Sequence, residues 1–319
     1  MPRSYGRFPS ATAQPMTPAS RDNPNREADD APAAGDAGPT RFLPGTGIEI
    51  IREPAHRGRY RHVLFDFDGT LSLIREGWPG VMIPMMVEIL AATPRAEPAE
   101  ALHAVVEDFV MRLNGKQTIY QMMRLAQEVA KRGGTPPEPI AYKEMYHDRL
   151  MDRIRHRREM LRRHPDRRAE MLVPGSLEIL ADLRDRGLGL YLASGTDERF
   201  VHEEAALLGL GEFFGDRVYG ALADHKRFSK KQVIDGILRE NAVSGADLLA
   251  FGDGYVEIEN TKSIGGTAVA VASDEAGRSG RPDAWKRNRL VGVGADLVIP
   301  DYRDRRPLLA YLFGDEKGG

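Results

Sequence analysis

The sequence lacks cysteine, long apolar runs and any marked excess of one charge. Without cysteine there is no disulfide, no thiolate metal site and no cysteine nucleophile. The longest apolar run, Val81–Ala92, is broken by Pro84 and Glu88 and is too short to span a membrane. The N-terminus has no apolar core of the kind that signal peptides contain. These absences predict a cytoplasmic protein with no membrane partner.

The composition is typical of a globular protein. Of the 319 residues, 41% are hydrophobic and 29% are charged, which is enough for a sizeable core, and the formal net charge is −2. Because the molecule as a whole is not basic, bulk electrostatics do not favour nucleic acid or another polyanion as a partner. The length is compatible with two domains, or with one domain and a long disordered end.

The first 46 residues differ from the rest, since they are rich in Pro, Ala, Asp, Asn and Arg and have almost no aliphatic periodicity. Such a segment cannot bury enough apolar surface to offset its chain entropy, so residues 1–46 are predicted to form a disordered tail. A role for this tail in regulation or partner binding is left open. A short edge strand is expected just after it, at Ile48–Ile51.

The remaining chain predicts an α/β fold with an all-helical insertion. Residues 75–172 show helical spacing without a strand pattern and are numerous enough to form a domain. The helices predicted there are Val81–Ala92, Ala99–Leu113, Thr118–Arg132 and Ile140–Arg163. From Val173 onward strands alternate with helices, which indicates a parallel sheet in a three-layer core made of residues 47–74 and 173–319. The predicted strands are Gly189–Ala193, Val218–Ala221, Leu248–Phe251, Ala268–Ala272 and Leu297–Ile299, and the predicted helices are Gly175–Arg186, Asp197–Leu208, Lys230–Glu240 and Arg306–Phe313.

Two carboxylates one residue apart follow an apolar strand, Val63–Phe65, in the segment Asp66–Thr70. Adjacent carboxylates repel each other and are costly to desolvate unless a cation or a proton compensates them. Gly69 permits a sharp turn, and the Thr70 hydroxyl can hydrogen-bond the backbone groups that the turn frees. Because open α/β sheets bind ligands at the carboxyl ends of their strands, a metal-assisted site is predicted here. The alternative is an ordinary Asp-Gly surface turn.

Two other predicted strands also end in polar residues beside glycine. Ser194-Gly195-Thr196 follows one of them, and its hydroxyls and backbone N–H groups suit a phosphate oxygen or, alternatively, cap the next helix. Gly252-Asp253-Gly254 follows the other, with Glu257 four residues after the aspartate. Asp253 and Asp66 offer the hard oxygen ligands that Mg²⁺ prefers, and Glu257 or Glu259 would orient metal-bound water. The alternative is a group of solvated loop acids.

Lys230 and Lys231 open a predicted helix, where the positive end of the helix dipole disfavours a cation. A lysine at such a position is expected to reach an anion elsewhere. We interpret Lys230 as the group that neutralises Asp66 and a transferring phosphoryl group. An exposed basic pair is the alternative interpretation, and Lys226 is another candidate for the same role.

Taken in order, these segments resemble the four motifs of the haloacid dehalogenase-like (HAD) phosphohydrolase superfamily. The segments that carry the resemblance are Asp66-Phe67-Asp68-Gly69-Thr70, Ser194, Lys230 and Gly252-Asp253-Gly254-Tyr255-Val256-Glu257. The resemblance extends from about Arg61 to Phe313. It implies a Rossmann-like core, and it implies that the helical insertion after the first motif is a C1-type cap.

The resemblance also implies a mechanism. Asp66 would attack phosphorus and form an aspartyl-phosphate, while Asp68 would protonate the leaving oxygen and then activate water. Mg²⁺ would be held by the carboxylates of Asp66 and Asp253 and by the carbonyl of Asp68. Ser194 and Lys230 would stabilise the phosphoryl oxygens.

Further site residues follow from the same resemblance. Gly195 and Thr70 are assigned to phosphate binding with Ser194, and Glu257 is a metal ligand that acts directly or through water. Many relatives have Asp where this chain has Glu257, so a water-mediated role is preferred. Dehalogenases of the superfamily lack an acid at the position of Asp68, which leaves phosphatase and phosphomutase activity.

Two basic segments remain. The polar turn Arg112–Gln117 between two predicted helices could lie over the pocket, with Lys116 binding substrate, or could be an ordinary exposed connection. The arginines of Arg153–Arg168 could bind a polyanion, but acids interleave with them and no aromatic side chain is present to stack on bases. A solvated helix face is therefore the preferred interpretation of that stretch.

The sequence thus favours a Mg²⁺-dependent phosphomonoesterase that uses an aspartyl-phosphate intermediate. Its substrate would be a small phosphorylated metabolite, such as a sugar phosphate or phosphoglycolate, because a cap must close over the site to exclude water. A sugar phosphomutase of the same superfamily is the first alternative. A non-catalytic binding or regulatory module that uses the basic helix or the N-terminal tail is the second.

Overall fold

The computed structural model describes residues 40–315. Residues 1–39 of the predicted tail, which was expected to extend to residue 46, therefore lie outside the described residues. Its last part contains a short strand, Arg41–Phe42, which pairs antiparallel with Glu49–Ile50. This second strand lies where a strand was expected, at Ile48–Ile51, but it is not at the edge, because it also pairs with Leu297–Ile299. The strand at the edge is Arg41–Phe42, in a segment that was predicted to be disordered.

The described residues contain one eight-stranded sheet with the order β1-β2-β8-β7-β6-β3-β4-β5. The strands are β1 (Arg41–Phe42), β2 (Glu49–Ile50), β3 (His62–Phe65), β4 (Gly189–Asp197), β5 (Val218–Ala221), β6 (Leu248–Gly252), β7 (Thr267–Val271) and β8 (Leu297–Ile299). The strands from β3 to β8 pair in parallel, whereas β1 and β2 are antiparallel additions at one edge. The predicted α/β fold class is confirmed, and β4 continues four residues beyond the predicted end.

Helices cover the sheet and form the insertion. They are α1 (Pro79–Ala91), α2 (Ala99–Arg112), α3 (Thr118–Lys131), α4 (Pro139–Arg163), α5 (Ser176–Asp185), α6 (Glu198–Leu207), α7 (Gly211–Phe214), α8 (Lys230–Asn241), α9 (Tyr255–Ser263), α10 (Ala284–Gly292) and α11 (Arg305–Phe313). Three of them, α7, α9 and α10, were not predicted from the sequence, because these segments are short and have few apolar residues at helical spacing. None of the helices in residues 40–315 is both long and apolar enough to cross a bilayer.

The central strands are apolar because they are buried on both faces. Val63, Leu64 and Phe65 of β3 are at most 1% exposed, as expected for a parallel strand covered by helices on each side. Phe65 stands in register with Leu192 of β4 and Phe251 of β6. The residues that follow Phe65, Leu192 and Phe251 in the chain therefore meet at one edge of the sheet.

The helices α1–α4, called the inserted helices below, connect to the sheet through two linkers that pair with each other. The N–H of Leu73 donates to the carbonyl of Met171 at 2.9 Å, and the N–H of Val173 donates to the carbonyl of Leu71 at 3.0 Å. The chain thus enters and leaves the inserted helices at one place, directly after Asp66–Thr70. This connection puts the inserted helices over the carboxyl ends of the central strands.

Candidate active site

One cavity lies where β3, β4 and β6 end, beneath the inserted helices. Its volume is about 90 Å³, which is several times the ~10–15 Å³ that one water molecule needs. A phosphate-sized group therefore fits. Seven of the residues predicted from the sequence line this cavity: Asp66, Asp68, Lys116, Ser194, Gly195, Lys230 and Asp253.

Asp66 is buried beside a lysine that also holds a second acid. Lys230 Nζ lies 2.8 Å from Asp66 Oδ2 and 2.8 Å from Glu257 Oε2. Burial raises the pKa of Asp66 well above its ordinary value, and the Lys230 cation opposes that rise. The two carboxylates raise the pKa of Lys230 despite its burial, so the ammonium remains charged. This triad explains how a lysine is tolerated at the start of α8, where the helix dipole disfavours a cation.

Asp253 is held by a lysine that was not predicted from the sequence. Lys286 Nζ, on α10, lies 2.9 Å from Asp253 Oδ2 and 2.6 Å from Glu275 Oε1. It also donates to Ser273 Oγ at 3.1 Å. Both acids raise the pKa of Lys286 even though its burial acts in the opposite direction. In the sequence Lys286 is one of three basic residues in Ala284–Gly292, so nothing there distinguished it as part of the site.

Thr70 and Glu257 do not line the cavity, and each supports a residue that does. Thr70 is fully buried, and its Oγ1 accepts a hydrogen bond from the N–H of Asp253 at 2.9 Å. Glu257 Oε1 accepts from the N–H of Gly254 at 2.7 Å, while its Oε2 binds Lys230. The structure therefore places Thr70 behind the Asp253 loop, not facing the space where a phosphate would bind.

Three carboxylates are close enough to share a cation. Ligand oxygens of Asp66, Asp253 and Glu257 lie within 4.8 Å of one another. Together with Glu275, these residues are four carboxylates that contact two lysines, Lys230 and Lys286, which leaves an excess of two negative charges if all six groups are ionised. An all-oxygen donor set with this excess fits a hard divalent cation such as Mg²⁺.

Asp68 has different surroundings from Asp66. Thr196 Oγ1 donates to Asp68 Oδ2 at 2.8 Å, and Arg75 Nε lies 3.8 Å from Asp68 Oδ1. Burial raises the pKa of Asp68 to about 6, with the Arg75 cation opposing the rise. A carboxyl with that pKa can both donate and accept a proton near neutral pH.

Arg75 itself is fixed by a buried acid on α6. Its Nε and Nη2 donate to Glu204 Oε2 and Oε1 at 2.9 and 3.0 Å, a two-point contact between planar groups. Glu204 is completely buried. Neither residue was predicted as part of the site. The available signal was an acid on the apolar face of α6, beside Val201 and Ala205.

Ser194 and Gly195 lie where β4 reaches the cavity. Ser194 is 1% exposed, and its Oγ accepts from the N–H of Thr196 at 3.1 Å. A Cβ added to Gly195 would lie 2.7 Å from the carbonyl oxygen of Lys116, so only glycine lets the two backbones approach this closely. Gly195 therefore brings the inserted helices into contact with the end of β4.

The connection between α2 and α3, residues 113–117, is the predicted polar turn, and we call it the α2–α3 loop. Asn114, Gly115 and Lys116 line the cavity. Gly115 has a φ of +95°, and a Cβ there would lie 3.1 Å from Gly254 Cα. The side-chain amide of Gln117 donates to the carbonyl of Phe228 at 2.7 Å. The loop is thus packed against the sheet side of the molecule, not exposed to solvent as the alternative interpretation had it.

The arginine-rich stretch of α4 and the residues after it is largely paired within the molecule. The ion pairs are Arg155–Asp152, Arg157–Glu76, Arg158–Glu203, Arg163–Glu159 and Arg167–Glu170. Arg157 also donates to the carbonyls of Ile74 and Glu76, each at 2.8 Å, in the first linker. These contacts account for much of the positive charge without an external polyanion.

Comparisons with known proteins agree with this geometry. A family model described as haloacid dehalogenase-like hydrolase matches residues 60–265. No curated protein matches the chain. The following solved structures, at 14–17% identity, show a likeness of fold.

A conserved haloacid dehalogenase-like protein of unknown function from Agrobacterium tumefaciens has a TM-score of 0.52 at 17% identity, covering 79% of this chain and 98% of that one. A predicted phosphoglycolate phosphatase from Haemophilus somnus has a TM-score of 0.50 at 15% identity, covering 78% of this chain and 98% of that one. A beta-phosphoglucomutase candidate from Bacteroides vulgatus has a TM-score of 0.50 at 14% identity, covering 80% and 91%.

Proposed function

Because the chain belongs to the haloacid dehalogenase-like hydrolases, we propose that it is a Mg²⁺-dependent phosphomonoesterase that acts through an aspartyl-phosphate. The observation that carries this proposal is the meeting of Asp66, Asp68, Ser194, Lys230 and Asp253 around one phosphate-sized cavity. These residues come from β3, β4, β6 and α8 and their ends. They supply a nucleophile, a proton carrier, a hydroxyl and a cation for a phosphoryl group, and a carboxylate for a metal ion.

In the first step a carboxylate oxygen of Asp66 attacks phosphorus, forming an O–P bond as the bond to the leaving oxygen breaks. Asp68 gives its proton to that oxygen, which departs as an alcohol. In the second step Asp68 takes a proton from a water whose oxygen attacks phosphorus. The aspartyl-phosphate bond then breaks, inorganic phosphate leaves, and both aspartates return to their initial states.

Charge around the phosphoryl group is the second requirement. Lys230 would offset the negative charge on the phosphoryl oxygens, and the Ser194 hydroxyl would donate to one of them. Mg²⁺ would be held by the carboxylates of Asp66 and Asp253 and by the backbone carbonyl of Asp68. The Glu257 carboxylate would bind the ion directly or through water. The ion would reduce repulsion between the Asp66 carboxylate and the phosphate. Lys286 and Thr70 would keep the Asp253 carboxylate in place for that role.

We further propose that residues 75–172 act as a cap over the core formed by residues 47–74 and 173–319. The closeness of the α2–α3 loop to Ser194 and Asp253 supports a substrate that is enclosed, hence a small phosphorylated metabolite such as a sugar phosphate or phosphoglycolate. Lys116, in that loop, would contact the substrate. We propose the cytoplasm as the location, since phosphorylated metabolites are found there.

The test is to incubate the full chain with Mg²⁺ and a panel of phosphorylated metabolites and to measure inorganic phosphate. Release should stop with a chelator and should be lost in Asp66→Asn. Asp185→Asn, an exposed aspartate at the end of α5 that pairs with Arg184, is the matched control and should retain activity. Isomerised product without phosphate would show a phosphomutase. Absence of turnover over the whole panel would contradict both enzymatic functions.

A further inference from the structure

Arg289 of α10 extends from the sheet side of the molecule to the end of an inserted helix. Its Nη1 donates to the carbonyl of Met111. Its Nη2 donates to the carbonyl of Arg112 at 2.6 Å and to that of Asn114 at 3.1 Å. The last carbonyls of a helix have no partner within the helix and carry the negative end of its dipole. The carbonyl of Met111 also accepts from the N–H of Asn114 at 3.3 Å. One guanidinium therefore joins three carbonyls at the end of α2 and the start of the α2–α3 loop.

Two aromatic rings hold this guanidinium in place. Its carbon lies 4.7 Å from the ring centre of Tyr255 and 5.0 Å from that of Trp285. Contacts of this kind stabilise a cation and restrict the plane of the guanidinium, so the direction of its N–H groups is fixed. Tyr255 directly follows the Asp253 loop, and Trp285 is on α10 itself. Both rings thus belong to the sheet side of the molecule, and the arginine reaches from there to the inserted helices.

The segment that Arg289 holds forms part of the cavity wall. The α2–α3 loop touches the end of β6 through Gly115 and Gly254, and touches the end of β4 through Lys116 and Gly195. These two strand ends carry Asp253 and Ser194. Because the contacts are between backbones at glycine positions, a small movement of the loop alters the shape of the cavity directly.

The same helix also holds Asp253 at the end of β6. Lys286, which binds Asp253 and Glu275, precedes Arg289 by three residues, a spacing that places both side chains on one face of α10. One rigid helix therefore fixes a carboxylate below the cavity and a loop above it. Arg287, between them in sequence, contacts Glu49 of β2 instead.

We propose that Arg289 is a positioning residue that keeps the α2–α3 loop closed over the cavity and thereby raises the affinity for substrate. This inference rests on the proposed phosphatase function. If the loop opens, the binding-competent fraction of the protein falls, and the apparent affinity falls in proportion. The chemical step in the closed complex is expected to be unchanged, because Arg289 does not line the cavity that holds Asp66 and Asp68.

The kinetic test compares Arg289→Gln and Arg289→Lys with the wild type, using p-nitrophenyl phosphate and Mg²⁺. We expect KM to rise about tenfold in Arg289→Gln, with kcat changed by less than about threefold. Arg289→Lys should fail to restore KM, because an ammonium cannot replace the planar fork that reaches three carbonyls. Arg287→Gln is the matched control on the same helix and should leave KM unchanged. An unchanged KM in Arg289→Gln, or an equal loss in kcat and kcat/KM, would overturn the proposal.

A second test needs no turnover. Hydrogen–deuterium exchange should be faster in Arg289→Gln within the peptide that covers the end of α2 and the α2–α3 loop, and unchanged in Arg287→Gln. Exchange that rises over the whole chain, or does not change in this peptide, would contradict a local positioning role. If the wild type hydrolyses no phosphomonoester, the phosphatase proposal fails separately, and the dissociation constant of inorganic phosphate replaces KM in the comparison. An unchanged phosphate affinity would then overturn the inference.

Discussion

The floor and the roof of the cavity are built in different ways. The floor consists of the ends of β3, β4 and β6, where Asp66 and Asp253 each contact a buried lysine. The roof consists of the α2–α3 loop, whose contacts with the core are mainly hydrogen bonds to carbonyls and close backbone packing at two glycines. Charged pairs fix the floor, so each charged residue there requires its oppositely charged partner. Backbone contacts fix the roof and require glycine at Gly115 and, opposite Lys116, at Gly195. The side chain of Gln117 adds a hydrogen bond to the carbonyl of Phe228.

This contrast indicates that the floor and the roof have different functions. The floor supplies the groups that any phosphoryl transfer of the proposed kind needs, and a change to one of them leaves an opposite charge buried without its partner. The roof supplies Asn114 and Lys116 beside the same cavity. Substitutions in the roof should therefore alter which substrate binds more than they alter the chemical step.

The largest effect is expected beside the floor, at the buried pair between Arg75, which lies 3.8 Å from Asp68, and Glu204 of α6. Glu204→Gln should reduce the free energy of unfolding by about 3–5 kcal/mol, because it leaves the Arg75 cation buried without its two-point partner. Urea unfolding measures this change. Glu203→Gln is the matched control, since the neighbouring Glu203 is half-exposed and pairs with Arg158 at the surface. Glu203→Gln should reduce the free energy of unfolding by less than about 1 kcal/mol. Similar decreases in the free energy of unfolding of both variants would contradict the prediction that the buried pair contributes more to stability than the exposed one.

A smaller effect, confined to binding, is expected in the roof. Lys116→Ala should raise KM by about tenfold and lower kcat by less than about threefold, because it removes a contact with bound substrate and leaves the reacting groups in place. Steady-state kinetics on the best substrate of the panel give both constants. Arg112→Ala is the control, since the Arg112 side chain pairs with Asp108 and does not line the cavity. Equal falls in kcat and kcat/KM would instead place Lys116 in the chemical step.

The smallest effect concerns pH and a contact that belongs to neither the floor nor the roof, between α4 and α6. His147 of α4 stacks on Phe200 of α6 with ring centres 3.9 Å apart, and burial lowers its pKa from 6.5 to about 4. Because the unfolded chain takes up this proton at higher pH than the folded protein, the contribution of His147 to stability is complete above about pH 6.5 and is lost as the pH falls towards 4.

His147→Phe keeps a ring against Phe200 but cannot be protonated. Between about pH 7 and pH 5, its urea midpoint should fall less than that of the wild type. His103→Phe, at an exposed position of α2, should fall as the wild type does. An equal decrease in all three proteins would mean that His147 takes no part in the acid response.

The sequence was sufficient for the parallel strands of the sheet and for the main polar residues at their ends. Apolar runs such as Val63–Phe65 identify strands buried on both faces, and polar residues just after such runs must meet at one edge of a parallel sheet. For that reason Asp66, Ser194 and Asp253 could be grouped from their positions in the chain alone. Lys230 was found because a cation at a helix start is unfavourable unless it has a distant partner.

Other features could not be predicted because they depend on contacts between distant segments. Lys286 lies in a polar segment without apolar periodicity, and only the packing of α10 shows that it reaches Asp253. Arg75 and Glu204 are 129 residues apart, and nothing in either segment specifies the other. The direction of the Thr70 hydroxyl, towards Asp253, is set by the tertiary packing of two loops.

The paired linkers have a consequence for how far the inserted helices depend on their own sequence. Two backbone hydrogen bonds, between Leu73 and Met171 and between Val173 and Leu71, join the points where the chain departs and returns. Because both bonds use main-chain groups, they impose no particular side chain on what lies between them. The two ends of the inserted helices are therefore held together whatever residues lie between them, whereas contacts such as those of Gln117 with Phe228 and of Arg158 with Glu203 depend on particular side chains.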